Sequence, residues 1–389
     1  MGTGVTTGMS RGAAAGLDAS ALGHVTEALN AWIAAGRIAG AVVWVERHGA
    51  VGLFEALGSQ DAARGIAMRG DSIFRIYSMT KPIVSVALMQ LAEAGRVLLR
   101  DPVANYLPEF ANARVGVEGT VPARAMTVHD LLRHTAGLTY EFHEPSPVRE
   151  AYTRAKLYSR QRGNAEHIAR LASLPLAHEP GSVWDYSRAT DVAGRLVEVL
   201  AGVPLGDHLE TAIFDPLGMV DTAFDVPAEQ HHRLAEPLPE PLAGVPLVPV
   251  FDPRLPVPSQ NGGSGLMSTA ADYARFTRML LNGGRLDGVR LLGRKTVEFM
   301  TADHLGPIRH ANDLLPPGHG FGLGFAVKTA LGQHTEPGSV GSYGWSGAAG
   351  TAFFVDPSEA LFAILMVQAP GLLDDVRELF RQAVYAALD

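Results

Sequence analysis

Leu22, Val25, Leu29, Trp32 and Ile33 recur at three- and four-residue intervals after Ser20. That spacing predicts a helix with one apolar stripe, capped by Ser20 and ended by Gly36. The period then shortens to that of strands. Apolar residues 41–45 and 51–54 flank His48-Gly49 and predict a β-hairpin. Near the other end, residues 351–355 and 361–367 flank Asp356-Pro357-Ser358-Glu359 as a second hairpin. Val376, Leu379, Phe380 and Val384 then mark one face of a last helix. Helix and strands at one end, strands and helix at the other, predict a single antiparallel sheet drawn from both ends of the chain. The middle is then an insertion.

That middle reads as helices joined by long loops. Thr127-Val128-His129-Asp130 and Thr269-Ala270-Ala271-Asp272 each predict a helix start with an acidic residue at the capping-box position. Residues 237–258 are dense in proline and predict an ordered surface loop, and 304–320 form a second stretch rich in Pro, Gly and His. The expected organisation is α+β: a flexible segment 1–17, a discontinuous sheet domain of residues 18–77 and 290–389, and a mainly helical domain of residues 78–289.

Composition narrows the function. The chain has 389 residues, 47% of them hydrophobic, enough for a large core without a disulfide or metal staple. It has no cysteine, which removes thiolate nucleophiles, Cys-ligated zinc and iron–sulfur clusters together. The 32 basic residues are scattered among 40 acidic ones, a pattern expected of neither a nucleic-acid nor a membrane-surface protein. Residues 1–17 lack the charged start and apolar run of a signal peptide, and the strongly apolar stretch 360–367 is too short to span a bilayer. A cytoplasmic location is expected. His231-His232 and the trio His304, His310 and His319 show no ligand spacing, so neither metal nor cofactor is expected.

Three segments can carry chemistry. Ser78-Met79-Thr80-Lys81 precedes Pro82 and an apolar helix, and proline is tolerated there only in a first turn. Ser78 then sits at a helix N-terminus with Lys81 on the same face, within reach of its hydroxyl. A lysine with an ordinary pKa of about 10.4 is only about 0.04% neutral at pH 7, so burial or a second group must help it act as a base. Tyr186, in Pro180-Gly181-Ser182-Val183-Trp184-Asp185-Tyr186-Ser187, sits where a loop meets a helix and can share the proton; Tyr158-Ser159-Arg160 lacks that Pro-Gly lead-in. Gly344-Trp345-Ser346-Gly347-Ala348 predicts a glycine-rich edge strand, against which a carbonyl substrate can take a backbone N–H hydrogen bond.

In this order the three segments resemble the penicillin-recognising serine hydrolases, which carry a Ser-x-x-Lys motif. The likeness covers nearly the whole chain from about residue 20. Within that superfamily it is similar to the class C β-lactamase branch, and most of all to the family VIII carboxylesterases. Phe74-Arg75-Ile76-Tyr77, Leu131-Leu132-Arg133-His134-Thr135-Ala136-Gly137-Leu138 and Gly262-Gly263-Ser264-Gly265-Leu266 support it. The resemblance implies a serine β-lactamase-like fold, acylation of Ser78, and Lys81 paired with Tyr186 as base. It also implies an oxyanion hole from the backbone N–H groups of Ser78 and Ala348, with Tyr140 lining the site.

Two departures from the β-lactamase pattern bear on substrate. Arg188 stands where that pattern has Asn, and Trp345-Ser346-Gly347 stands for Lys-Thr-Gly. Losing the strand cation removes a partner for a substrate carboxylate. The expected activity is therefore hydrolysis of small or short-acyl neutral esters, with Tyr140, Trp345, Ser346, Gly347 and Arg188 as substrate contacts. An acyltransferase, a weak β-lactamase or peptidase, and a non-catalytic ligand-binding protein are the alternatives.

Overall fold

The computed structural model describes residues 15–240, 250–255 and 258–388. Eight strands form the main sheet: β1 (Gly40–Arg47), β2 (Ala50–Asp61), β3 (Ile66–Ala67), β4 (His319–Phe321), β5 (Ala326–Lys328), β6 (Tyr343–Ser346), β7 (Ala352–Asp356) and β8 (Leu361–Val367). Their order is β4-β5-β6-β7-β8-β1-β2-β3. Both expected hairpins are present, and antiparallel pairing of β1 with β8, from Ala41 opposite Val367 to Arg47 opposite Leu361, joins the two chain ends.

Side-chain alternation explains why residues 361–367 are apolar without interruption. Leu361, Ala363, Leu365 and Val367 face one way, together with Ala41, Val43 and Val45 of β1. They pack under Leu22, Val25 and Leu29 of helix α1 (Ala19–Ala34) and Val376, Phe380 and Val384 of the C-terminal helix α5 (Leu373–Tyr385). Phe362, Ile364 and Met366 face the opposite way, into the larger core. With both faces covered, a polar residue at either phase would be stranded.

The cap of α1 is Asp18 rather than Ser20. The Asp18 carboxylate accepts from the backbone N–H of Ser20 at 2.7 Å and of Ala21 at 3.1 Å. Residues 15–17 depart from the flexible segment expected there. Ala15 and Leu17 are buried in the layer beneath α1, and Leu17 bridges to Leu388. The rest of that segment lies outside the described residues, as do 241–249 and 256–257 of the proline-rich stretch.

The helical part is built round α2 (Thr80–Glu93) and α3 (Ala189–Ala201), which pack on each other. At Thr127 the capping box is complete, with Thr127 and Asp130 exchanging side-chain to backbone hydrogen bonds. Thr269 makes only half of one. It accepts from the Asp272 N–H, while the Asp272 carboxylate turns instead to the Asp221 N–H at 2.7 Å and the Thr222 hydroxyl at 2.9 Å. The helix it begins, α4 (Ala270–Leu281), was expected within the insertion but packs on β1 and β8, where Arg278 pairs with the buried Glu46. The helical part and the sheet therefore meet through one continuous core, and the loops at that junction form the site.

Candidate active site

Ser78 lies in a single 3-10 turn, Tyr77–Met79, immediately before α2. The preceding Tyr77 has φ of 43°, a left-handed conformation that costs a non-glycine residue about 1–3 kcal/mol. Local strain of that kind persists where surrounding packing enforces it, and here the turn is pinned from several sides. The Thr80 hydroxyl accepts from the Leu266 N–H at 3.1 Å, Ile76 N–H donates to the Leu266 carbonyl at 3.1 Å, and the Tyr77 ring packs edge-on to Phe251. The serine is thus held half-exposed at the end of a helix buried from Thr80 to Met89.

One turn along, Lys81 is completely buried. Its Nζ reaches Ser78 Oγ at 3.3 Å, the Tyr140 hydroxyl at 3.1 Å and the Gly263 carbonyl at 2.8 Å. Burial lowers its pKa to about 7, opposed by Asp191 and aided by Arg188. A neutral amine has two N–H donors and one lone pair. The Gly263 carbonyl and Tyr140 take the donors, which leaves the lone pair for the Ser78 hydroxyl.

Asp191, in the first turn of α3, holds the far side of this arrangement. Its Oδ1 accepts from the Gly263 N–H at 2.8 Å, so one peptide segment links its carboxylate to the lysine. A Cβ at position 263 would lie 2.4 Å from that oxygen and 3.2 Å from the Tyr140 hydroxyl, so glycine alone fits. Sequence spacing carries no sign of Asp191. Its signal is an acidic residue next to the apolar stripe Val192, Leu196 and Val199, and Gly263 lies in a string that the resemblance marks without assigning it a role.

The two tyrosines divide differently from expectation. Tyr140 makes the hydrogen bond to Lys81, whereas Tyr186 presents its ring to Nζ, 4.5 Å from the centroid. The Tyr186 hydroxyl accepts from Trp345 Nε1 at 3.1 Å, and burial pushes its pKa well up despite the Ser78 and Trp345 hydrogen bonds. Tyr140 is driven in the same direction by the same cause. Both phenols stay protonated near neutrality. The string at 131–138 positions Tyr186 from behind: the His134 carbonyl accepts from the Asp185 N–H at 3.0 Å, and His134 Nδ1 lies 3.1 Å from the Ser187 hydroxyl.

Arg188 is not a free substrate anchor. It is buried, bridged to Glu141 and to Asp191, with its guanidinium 5.1 Å from the Tyr140 ring. It touches the cavity only as part of this ion-pair network. On β6, Trp345 packs against Tyr186 and Phe321, and Trp345, Ser346, Gly347 and Ala348 all line the cavity. A Cβ on Gly347 would fall 2.3 Å from Thr351 Oγ1 and 2.5 Å from the Ile76 carbonyl. The strand end can therefore approach the serine turn only with glycine there. The Ala348 N–H has no acceptor among the described residues.

The cavity has a volume of about 1010 Å³. Tyr140, Phe142, Phe251, Leu314 and Trp345 supply apolar wall beside Ser78. No group of three or more His, Asp and Glu residues able to hold a metal occurs among the described residues, and no helix there is long and apolar enough to cross a membrane. Of the histidines that could suggest a metal, His304 meets His129 at 2.9 Å, and His231 bonds the Val226 carbonyl.

The Beta-lactamase family profile matches residues 22–388, nearly the whole chain. The chain belongs to the Beta-lactamase family. It is a serine hydrolase with the β-lactamase-like fold. Esterase EstB of Burkholderia gladioli is 33% identical to this β-lactamase-family chain over 377 residues, covering 90% of it and 91% of EstB. Protein Rv1367c of Mycobacterium tuberculosis is 36% identical over 356 residues, 86% of each. Among solved structures, EstCE1, described as a hydrolase with promiscuous acyltransferase activity, superposes with a TM-score of 0.80 at 27% identity, covering 94% of this chain and 99% of EstCE1.

Proposed function

We propose that this β-lactamase-family protein is a carboxylesterase acting on small or short-acyl neutral esters through an acyl-enzyme on Ser78. The observation that carries the reading is Lys81: a buried amine with a pKa near 7, its other hydrogen bonds directed elsewhere, 3.3 Å from Ser78 Oγ. Lys81 takes the Ser78 proton as the oxygen attacks the ester carbonyl. The N–H groups of Ser78 and Ala348 receive the oxyanion. The bond to the alkoxy oxygen breaks, and the alcohol leaves with the proton that Lys81 took, assisted by the Tyr186 hydroxyl, which contacts Ser78. Water then attacks the acyl-enzyme, Lys81 again takes its proton, and the carboxylic acid departs as Ser78 is reprotonated.

Trp345 supports the preference for neutral esters, because it places an indole where a lysine would meet a carboxylate. The likeness to EstB supports ester chemistry, and the likeness to EstCE1 supports a second reading. In a cavity of about 1010 Å³ an alcohol or amine acceptor can stand beside the acyl-enzyme and replace water. Turnover of a short-chain chromogenic ester by native protein and by Ser78→Ala tests the proposal. Native protein no faster than Ser78→Ala sinks it. Product partition with added alcohol separates hydrolysis from transfer.

A further inference from the structure

Arg377 lies one turn into α5, in a stretch where the sequence shows no candidate chemistry, yet it lines the same cavity as Ser78 and Ala348. Its side chain is only 17% exposed. Nη2 donates to the Gly347 carbonyl, and Nε has no partner among the described residues. The nearest carboxylate, Asp374, is 3.5 Å away and 97% exposed, so solvent screens it. Burial lowers the guanidinium pKa to about 10. A cation with so little compensation directs its field at the neutral acceptor it touches.

That acceptor belongs to the peptide unit that carries the Ala348 N–H. A trans peptide is planar with C=O and N–H opposed, so a group that holds the oxygen aims the hydrogen. The same carbonyl accepts from the Gly350 N–H at 3.0 Å, closing a turn, and the Ala349 carbonyl accepts from Ala369 at 2.7 Å. A positive donor on the oxygen also draws electron density from the amide and strengthens its N–H as a donor, as in any polarised hydrogen-bond chain.

We propose that Arg377 is a positioning residue of the oxyanion hole: through the Gly347 carbonyl it orients and polarises the Gly347–Ala348 peptide, so that the Ala348 N–H meets the tetrahedral oxyanion formed on Ser78. This rests on the esterase reading above. Arg377 itself touches neither the serine nor the reacting carbonyl.

The test compares native protein, Arg377→Met, Arg377→Lys and Ala348→Pro, which deletes the N–H itself. Each is assayed on a neutral chromogenic ester and on its thionoester, whose sulfur is the poorer hydrogen-bond acceptor. Losing an oxyanion donor outright costs about 10²–10³ in kcat, so an indirect effect of about tenfold or more is expected for Arg377→Met, with KM held within about twofold. The oxoester-to-thionoester rate ratio falls toward that of Ala348→Pro, and Arg377→Lys restores much of both. An unchanged kcat and ratio in Arg377→Met, with Ala348→Pro impaired, overturns the role of Arg377 alone. An unimpaired Ala348→Pro overturns the oxyanion assignment beneath it. A loss confined to KM for esters that carry a carboxylate also overturns the proposal and makes Arg377 a substrate anchor. Thermal unfolding accompanies each assay. If Arg377→Met fails to fold, Arg377→Gln replaces it, and a native ratio in that neutral variant overturns the polarising role.

Discussion

Lys81 Nζ lies 3.1 Å from the Tyr140 hydroxyl, while Tyr186 turns its ring toward the same nitrogen at 4.5 Å. Two tyrosines therefore flank one amine in different ways, one as a hydrogen-bond partner and one as a π-face with its hydroxyl directed to Trp345. Substitution separates them. Removing the Tyr140 hydroxyl takes away a group that solvates the ammonium form, so Tyr140→Phe shifts the acid limb of kcat/KM to lower pH. Tyr186→Phe leaves the hydrogen bonds of Lys81 intact, so that limb stays in place while kcat falls by about 10²-fold, the scale of a lost acid–base contact at the Ser78 oxygen. pH–rate profiles of the two variants check this.

With Lys81 as the proposed base, a pH–rate profile of the native protein is expected to show kcat/KM rising through an apparent pKa of about 7, because the base form is the neutral amine. Lys81→Arg remains cationic throughout and is inactive.

The same group affects stability. Its pKa is about 7 in the fold and the ordinary 10.5 when unfolded, so between those values the unfolded chain binds more protons. Stability of the native protein relative to Lys81→Met therefore rises from pH 7 toward pH 10 and is level below pH 7. Denaturation midpoints of the pair at pH 6, 8 and 10 measure the effect.

Arg188→Met leaves the buried Asp191 carboxylate without its guanidinium and Glu141 unpaired. Breaking one partner of a buried pair costs about 3–5 kcal/mol. The cationic field that lowers the Lys81 pKa is lost too, so the acid limb moves to higher pH. Urea unfolding with a pH–rate profile reads both changes, and altered substrate selectivity without lost stability would contradict the ion-pair role.

Gly347→Ala pushes a methyl group onto Thr351 Oγ1 and the Ile76 carbonyl, moving the strand end away from the serine turn. A fall in kcat of about 10²-fold or more is expected, the scale of a lost oxyanion donor. Gly23→Ala is the matched control. It lies in α1 with nothing within 4 Å of a new Cβ, so activity is unchanged and stability rises by up to about 1 kcal/mol.

Much of this architecture was legible in the chain. The stripes of α1 and α5, the two hairpins and the pairing of chain ends follow from local periodicity, because each element's apolar face is written at its own spacing. Ser78 and Lys81 were legible for the same reason, since three residues along a helix place them on one face. The cap at Asp18 rather than Ser20 shows the ordinary imprecision of element ends, where neighbouring polar residues compete for the same N–H groups. The place of α4 on the sheet was not legible, because an amphipathic helix does not specify which apolar surface covers it.

By itself the sequence determined the α+β class, the placing of Ser78 and Lys81 on one helical face, and the glycine-rich strand at 344–348. Only the tertiary structure decided which tyrosine bonds that lysine, that Arg188 is neutralised by Glu141 and Asp191, and that Gly263 and Arg377 reach the site from segments 182 and 296 residues beyond Lys81. The physical reason is one of range. Periodicity reports which side of an element is buried, whereas the protonation of Lys81 depends on desolvation and on charges within a few ångströms, contributed by segments far apart in the chain.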